Sequence, residues 1–220
     1  MSYHVVIDLE MCKVPWSKRT ETFNLQNETI QIGAVLLDDE YEIVGQFNSY
    51  VSPEYGFVDR YINNFTGISQ KNVSKSPTME EALKLFTEWV PAGEVEIVAW
   101  SANDERQIRR EMEGKHIENP RMEELFENWT DCQKTFAEKL DTTRCFKLSE
   151  ALVAADIAYE GRAHDGLSDA YNTALLFAKM ETEENFAITE IYESTQNTEI
   201  EHLSSSLGDL FSSLNLQIAS

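Results

Sequence analysis

The chain has 220 residues, 42% hydrophobic and 26% charged, which suits one α/β domain with or without a tail and allows a full core. This composition excludes collagen-like, disulfide-dense and wholly disordered classes, and no apolar run approaches the roughly 20 residues that span a bilayer. Asp and Glu number 39 against 18 Lys and Arg, a net charge of −21, and such a field repels polyanions at long range.

Tyr3 to Leu9 reads as a buried strand, a short β-branched run carrying Asp8 near its end. Residues 11–28 are polar and irregular. Thr29 to Leu37 and Glu42 to Val51 form a hairpin about the turn Asp38-Asp39-Glu40. Short helical turns are expected between Tyr61 and Val73. Ser76-Pro77-Thr78 then opens an amphipathic helix whose stripe is Met79, Ala82, Leu83, Phe86, Trp89 and Val90. Glu94 to Trp100 is a fourth strand. Asn103 is expected to cap a helix over about Asp104 to Glu113, with a loop from Gly114 to Pro120. A short fifth strand over Phe126 to Thr130 precedes helices at Asp131 to Leu140, Lys147 to Ala154 and Asp165 to Met180. Strands interleaved with helices after an early hairpin predict a mixed five-stranded sheet covered on both faces.

Residues 1–180 form the expected domain and residues 181–220 an acidic appendage with eight acids and no Lys or Arg. Leu203, Leu207, Leu210, Phe211 and Leu214 fall there at helical spacing. The appendage is expected to dock as a helix, to bind a protein partner, or to be partly disordered. Cys12, Cys132 and Cys145 are widely spaced without a CxxC, so no disulfide framework or zinc knuckle is expected. The first residues lack a signal-peptide pattern, so the expected setting is cytoplasmic, with no membrane association.

Asp8 and Glu10 sit two apart at a strand end, which puts both carboxylates on one face. Asp104 follows the fourth strand by four residues, and ligands of open α/β sheets gather beyond the carboxyl ends of parallel strands. His164 fits the loop before the last helix, which Asp169 enters out of phase with the apolar stripe, while Asp165 makes a natural helix cap. Each piece alone has an ordinary reading as a solvated acid, a surface imidazole or a first-turn aspartate. Together they supply four carboxylates and a histidine, the set a two-metal phosphodiester hydrolase requires.

In these residues the chain resembles the DnaQ-like 3′–5′ exonucleases of the DEDDh class, on a ribonuclease H-like α/β fold. The matching stretches are Ile7 to Cys12, Glu28 to Val35, Phe65 to Ser69, Trp100 to Asp104 and His164 to Ala170. The first motif and the long hairpin look most like the histone-mRNA and RNA-interference exonucleases and their bacterial relatives. The resemblance implies metal-dependent removal of nucleoside monophosphates from single-stranded RNA or DNA 3′ ends, with two Mg²⁺ or Mn²⁺ as cofactors. It also implies that Asp8 bridges both ions, that Glu10 and Asp169 ligate the ion carrying the nucleophile, that Asp104 holds the second, and that His164 is the general base. Met11 and Cys12 are implied to line the 3′-nucleotide pocket, partly through main-chain groups, with Trp100 also contacting substrate. Phe65 stands where leucine is common, and either stacks on the terminal base or belongs to the core.

Three groups of bases, Lys13/Lys18/Arg19, Arg106/Arg109/Arg110 and Arg144/Lys147/Arg162, are expected to rim the cleft and offset the bulk charge. Two other readings stand beside the nuclease: a proofreading subunit tethered to a polymerase by the tail, and a nuclease-like module that binds a protein.

Overall fold

The computed structural model describes residues 2–19 and 24–188. Five strands, β1 (Tyr3–Lys13), β2 (Asn27–Leu37), β3 (Ile43–Tyr50), β4 (Val95–Ala99) and β5 (Trp129–Asp131), form one sheet in the order β3-β2-β1-β4-β5. β1 runs antiparallel to β2 and parallel to β4; β2–β3 is the expected hairpin and β4–β5 is parallel. The α/β class and the mixed five-stranded sheet are as the sequence predicts.

Side chains alternate across β1, so its odd and even residues feed different cores. Val5, Ile7 and Leu9 join a cluster with Ile32, Ala34 and Leu36. Helices α3 (Met79–Trp89), α4 (Asn103–Lys115) and α5 (Pro120–Phe126) cover it, with Phe86 fully buried. Val6 faces the other way, joining Val35 and Val98 beneath α6 (Cys132–Lys139), α7 (Leu148–Ala154) and α8 (Gly166–Thr182). Asp8 and Glu10 are even-numbered, so the strand period directs them to the α8 side. A third cluster, Cys12 and Ile30 with Val58, Ile62, Ile68 and Val73, lies beneath α1 (Arg60–Thr66) and α2 (Gln70–Val73).

Three local expectations need correction. β1 continues past Leu9, because Met11, Cys12 and Lys13 pair with Thr29, Glu28 and Asn27; the register shift between Glu10 and Met11 is the only irregularity in that ladder. Residues 120–126 are helical, so the expected loop stops before Pro120 and the expected strand at Phe126 starts only at Trp129. Asn119 accepts from Met122 N, Pro120 occupies the first turn, and Met122, Leu125 and Phe126 are buried at helical spacing. Asn103 lies inside α4 rather than capping it; its N–H goes to Ser101 Oγ at 3.3 Å, and Ala102 is the cap residue.

Residues 183–188, the last described, are irregular, and Phe186 packs against Phe136 with ring centroids 5.8 Å apart. The apolar positions from Leu203 to Leu214 lie outside the described residues. No described helix is long and apolar enough to cross a membrane, and all three cysteines are free.

Candidate active site

The site begins where β1 outruns its parallel neighbour. The β1–β4 ladder ends at Ile7 and Ala99, so Leu9 N–H has no strand partner on that side. Asp104, in the first turn of α4, supplies one: its Oδ1 accepts from Leu9 N at 3.2 Å. The bond holds the Asp104 carboxylate, almost wholly buried, at the end of β1.

α8 brings the next group. Asp8 pairs with Gly33 across the β1–β2 ladder, and a Cβ on Gly33 would lie 2.2 Å from the backbone of Gly166 and Leu167. The sheet can therefore receive the start of α8 only because Gly33 is bare. Gln31, fully buried on β2, fixes that start: Gly166 N donates to its Oε1 at 3.0 Å, and its Nε2 donates to Asp165 Oδ2 at 3.1 Å. Asp165 caps α8 as expected, accepting from Ser168 N at 3.0 Å. Asp169 then faces β1.

His164 stands in the preceding loop with φ 62°, a left-handed conformation that non-glycine residues adopt rarely. Its N–H donates to Asp169 Oδ2 at 3.1 Å. Donor atoms of Glu10, His164 and Asp169 lie within 4.8 Å of one another. The imidazole stacks on Phe65 at 3.8 Å, and Phe65 stacks on Tyr61 at 6.0 Å. Both rings are largely exposed. Beside them, the Arg162 guanidinium lies over Gly67 and donates to Asn64 O at 3.1 Å. The end of α1 thus holds the histidine loop by two separate contacts.

These acids charge reluctantly. Burial, then the nearby Asp104, Asp169, Glu10 and Asp165 carboxylates, holds Asp8 well above the usual carboxylate range. Burial together with Asp169, Asp165 and Asp104 pushes Glu10 up to about 8. Asp104 rises to about 7 through burial, against the relief of its Leu9 hydrogen bond. Asp169 is also raised by burial, although Tyr159 and His164 act the other way. Adjacent carboxylates without a compensating cation show this pattern. An all-oxygen acidic set of this kind fits hard divalent cations, so Asp8, Glu10, Asp104 and Asp169 suit the metal that the sequence implied.

A cleft of about 710 Å³ opens on the group and includes Asp8, Phe65, Trp100, Lys147, Tyr159, His164 and Asp169 in its lining. Lys147 is the only Lys or Arg in that lining among the described residues. Of the other bases expected at the rim, Arg162 lies beside the His164 loop, whereas Arg109 and Arg144 are engaged with acids of their own segments. Arg109 pairs with Glu105 and stacks on Phe126, and Arg144 pairs with Glu150 and stacks on Phe146. The side chains of Met11 and Cys12 are not part of the cleft lining. Cys12 is buried in the third cluster, where desolvation first and then Glu28 and Glu111 push its thiol up to about 12. Met11 packs against the first core.

Gln31, Tyr61 and Tyr159 were not singled out by the sequence. Tyr61 had a signal, because it precedes Phe65 by one helical turn. Gln31 acts through contacts more than 130 residues away, and Tyr159 through a hydrogen bond across the loop before α8, which no local pattern marks.

A protein-family model described as "Exonuclease" matches residues 5–177. The chain belongs to the exonuclease family. The 3′–5′ exonuclease Snipper of Drosophila melanogaster is 26% identical to this exonuclease over 200 residues, 81% of this chain and 69% of that one. ERI1 exoribonuclease 2 of Danio rerio is 30% identical over 83% of this chain, which spans only 35% of that relative. The nuclease domain of 3′hExo, a DEDDh family member bound to rAMP, superposes with a TM-score of 0.69 at 23% identity, covering 86% of this chain and 96% of that one. The exonuclease thus has the ribonuclease H-like fold of these nuclease domains, and its likeness to 3′–5′ exonucleases runs over most of the chain.

Proposed function

We propose that this exonuclease removes nucleoside 5′-monophosphates one at a time from the 3′ end of single-stranded RNA or DNA in a reaction that needs Mg²⁺ or Mn²⁺. The observation that carries the reading is the grouping of Asp8, Glu10, Asp104 and Asp169, from three separate elements, with Asp8, His164 and Asp169 lining one cleft. Those four carboxylates would hold the ions. When bound, a divalent pair supplies Lewis acidity toward the phosphodiester and lowers the pKa of a coordinated water.

The protein's own part is positioning and proton transfer. The exposed Tyr61 ring, at the end of the stack that Phe65 makes with His164, offers a face for a base at the 3′ end, worth about 1–3 kcal/mol without regard to sequence. Trp100 also lines the cleft. Any contact from Met11 and Cys12 falls to their main chain. Lys147, the only Lys or Arg in the cleft lining among the described residues, meets a backbone phosphate in a chain of net charge −21. Water attacks the phosphorus of the last linkage, a ring nitrogen of His164 takes its proton, and the bond to the penultimate 3′ oxygen breaks. Solvent protonates that oxygen.

The test is a 5′-labelled single strand, as RNA and as DNA, incubated with Mn²⁺ or EDTA. A ladder descending from the 3′ end with Mn²⁺, absent with EDTA, is expected. Internal cuts or EDTA-resistant cleavage would contradict the reading.

The 4.8 Å grouping of Glu10, His164 and Asp169 favours a second role for the imidazole, as a metal ligand. His164→Ala separates the two. Lost turnover with intact Mn²⁺ binding identifies the base; lost Mn²⁺ binding identifies the ligand.

A further inference from the structure

We propose that Tyr159 is a positioning residue for Asp169, its hydroxyl fixing the carboxylate in the orientation that receives a divalent cation. The proposal rests on the reading of Asp169 as a metal ligand. Tyr159 lies in the segment between α7 and α8, and its hydroxyl is 2.5 Å from Asp169 Oδ1. The Arg162 carbonyl is farther, at 3.1 Å, so the single hydroxyl proton goes to the carboxylate. His164 N–H holds the other oxygen, Oδ2. Each oxygen accepts one hydrogen, and each keeps a lone pair for a cation.

Asp169 needs such a hold. It faces Asp8 and Glu10 across the site, and no Lys or Arg forms an ion pair with it among the described residues. Without neutral donors its carboxylate would turn away from its like-charged neighbours. A neutral hydroxyl can hold it without competing for the charge that the ion must supply.

The donor is itself firmly placed. Fully buried Asn172, three residues beyond Asp169 on α8, clamps Glu160: its Oδ1 accepts from Glu160 N at 2.9 Å and its Nδ2 donates to Glu160 O at 2.8 Å. Gly161, with φ 87°, packs so closely that a Cβ there would lie 2.6 Å from Ser168 Oγ. The tyrosine ring packs against the second core. Phenylalanine would satisfy that packing, so the hydroxyl is what distinguishes this side chain here.

The test is Mn²⁺ titration calorimetry on the full chain without nucleic acid, comparing wild type, Tyr159→Phe and Asp169→Asn. Outer-sphere partners of a metal site typically govern about 10–100-fold in affinity. Tyr159→Phe should bind Mn²⁺ about tenfold or more weakly, melt in metal-free buffer like wild type, and regain turnover at saturating Mn²⁺. Wild-type affinity in Tyr159→Phe, with binding lost in Asp169→Asn, would overturn the proposal and leave the metal site standing. Absence of Mn²⁺ binding by wild type, or its survival in Asp169→Asn, would overturn both. Should Tyr159→Phe melt lower, Mn²⁺ binding measured below that melting point still decides, because a packing role alone leaves the affinity of the folded form unchanged.

Discussion

Gly33 and Gly166 meet backbone to backbone: a Cβ on Gly33 would stand 2.2 Å from the Gly166 carbonyl carbon. This contact joins the centre of the sheet to the helix that carries Asp169, directly opposite Asp8 on the ladder. Gly33→Ala must push α8 away from β1. Overpacking of this kind costs about 1–3 kcal/mol, occasionally more. Urea denaturation should show a loss at or above the top of that range, and turnover should fall further than stability, because Asp169 moves with the helix.

The raised carboxyls predict how metal-free protein responds to pH. Glu10 titrates near 8 when folded instead of near 4.5. The unfolded chain therefore loses this proton first, and over that interval a rising pH favours unfolding. The stabilisation is complete below about 4.5 and gone above about 8. Metal-free melting temperature should fall across this window. Glu10→Gln should flatten the fall, and Mn²⁺ at the alkaline end should restore stability by binding only the folded form. An equal slope in Glu10→Gln would show that Glu10 does not cause it.

A second charged group lies behind the site. Lys115 Nζ sits 2.7 Å from Glu28 and 2.8 Å from Glu111, all three almost wholly buried. Burial alone would lower the lysine pKa, but the two carboxylates hold it above its ordinary value. Glu28 also accepts the N–H groups of Glu54, Tyr55 and Gly56, and Glu111 those of Thr29 and Gln107. Lys115→Met strands two buried charges and should cost about 3–5 kcal/mol. Lys84→Met breaks only an exposed pair with Glu88 and should cost less than about 1 kcal/mol. Chemical denaturation of the two variants reads the difference.

This network also marks the limit of what the sequence showed. Glu28, Glu111 and Lys115 are unremarkable in a chain so rich in acids, and their burial depends on α4 packing beside β2. The five candidate site residues could be named from the sequence because a strand end, a helix start and a loop each leave a local mark, and their spacing resembled a known family. Asp165 as a cap was legible for the same reason. Gly33 was visible only as a weak hint, since what it accommodates is more than 130 residues away. The continuation of β1 to Lys13 was hidden because Met11 and Cys12 bury through pairing with β2, not through a periodic pattern of their own. The helix at 120–126 was missed although Asn119 and Pro120 announced it.

Lys147 is the only Lys or Arg in the cleft lining among the described residues, so its loss should be felt in binding. Lys147→Gln should raise KM several-fold with kcat nearly unchanged. Neutralising one phosphate contact should reduce the logarithmic salt dependence of binding by about 0.7 for a single strand. A KM and salt slope equal to wild type would place the substrate backbone elsewhere.

The most direct measurement is single-turnover digestion of a 5′-labelled single strand by Asp8→Asn at saturating Mn²⁺, with circular dichroism confirming the fold. Asp8 lies at the centre of the acidic group, so the rate should fall by more than the roughly 100-fold at the upper end for outer-sphere partners. A rate within a few-fold of wild type would contradict the account, because the chemistry would then not take place among these carboxylates.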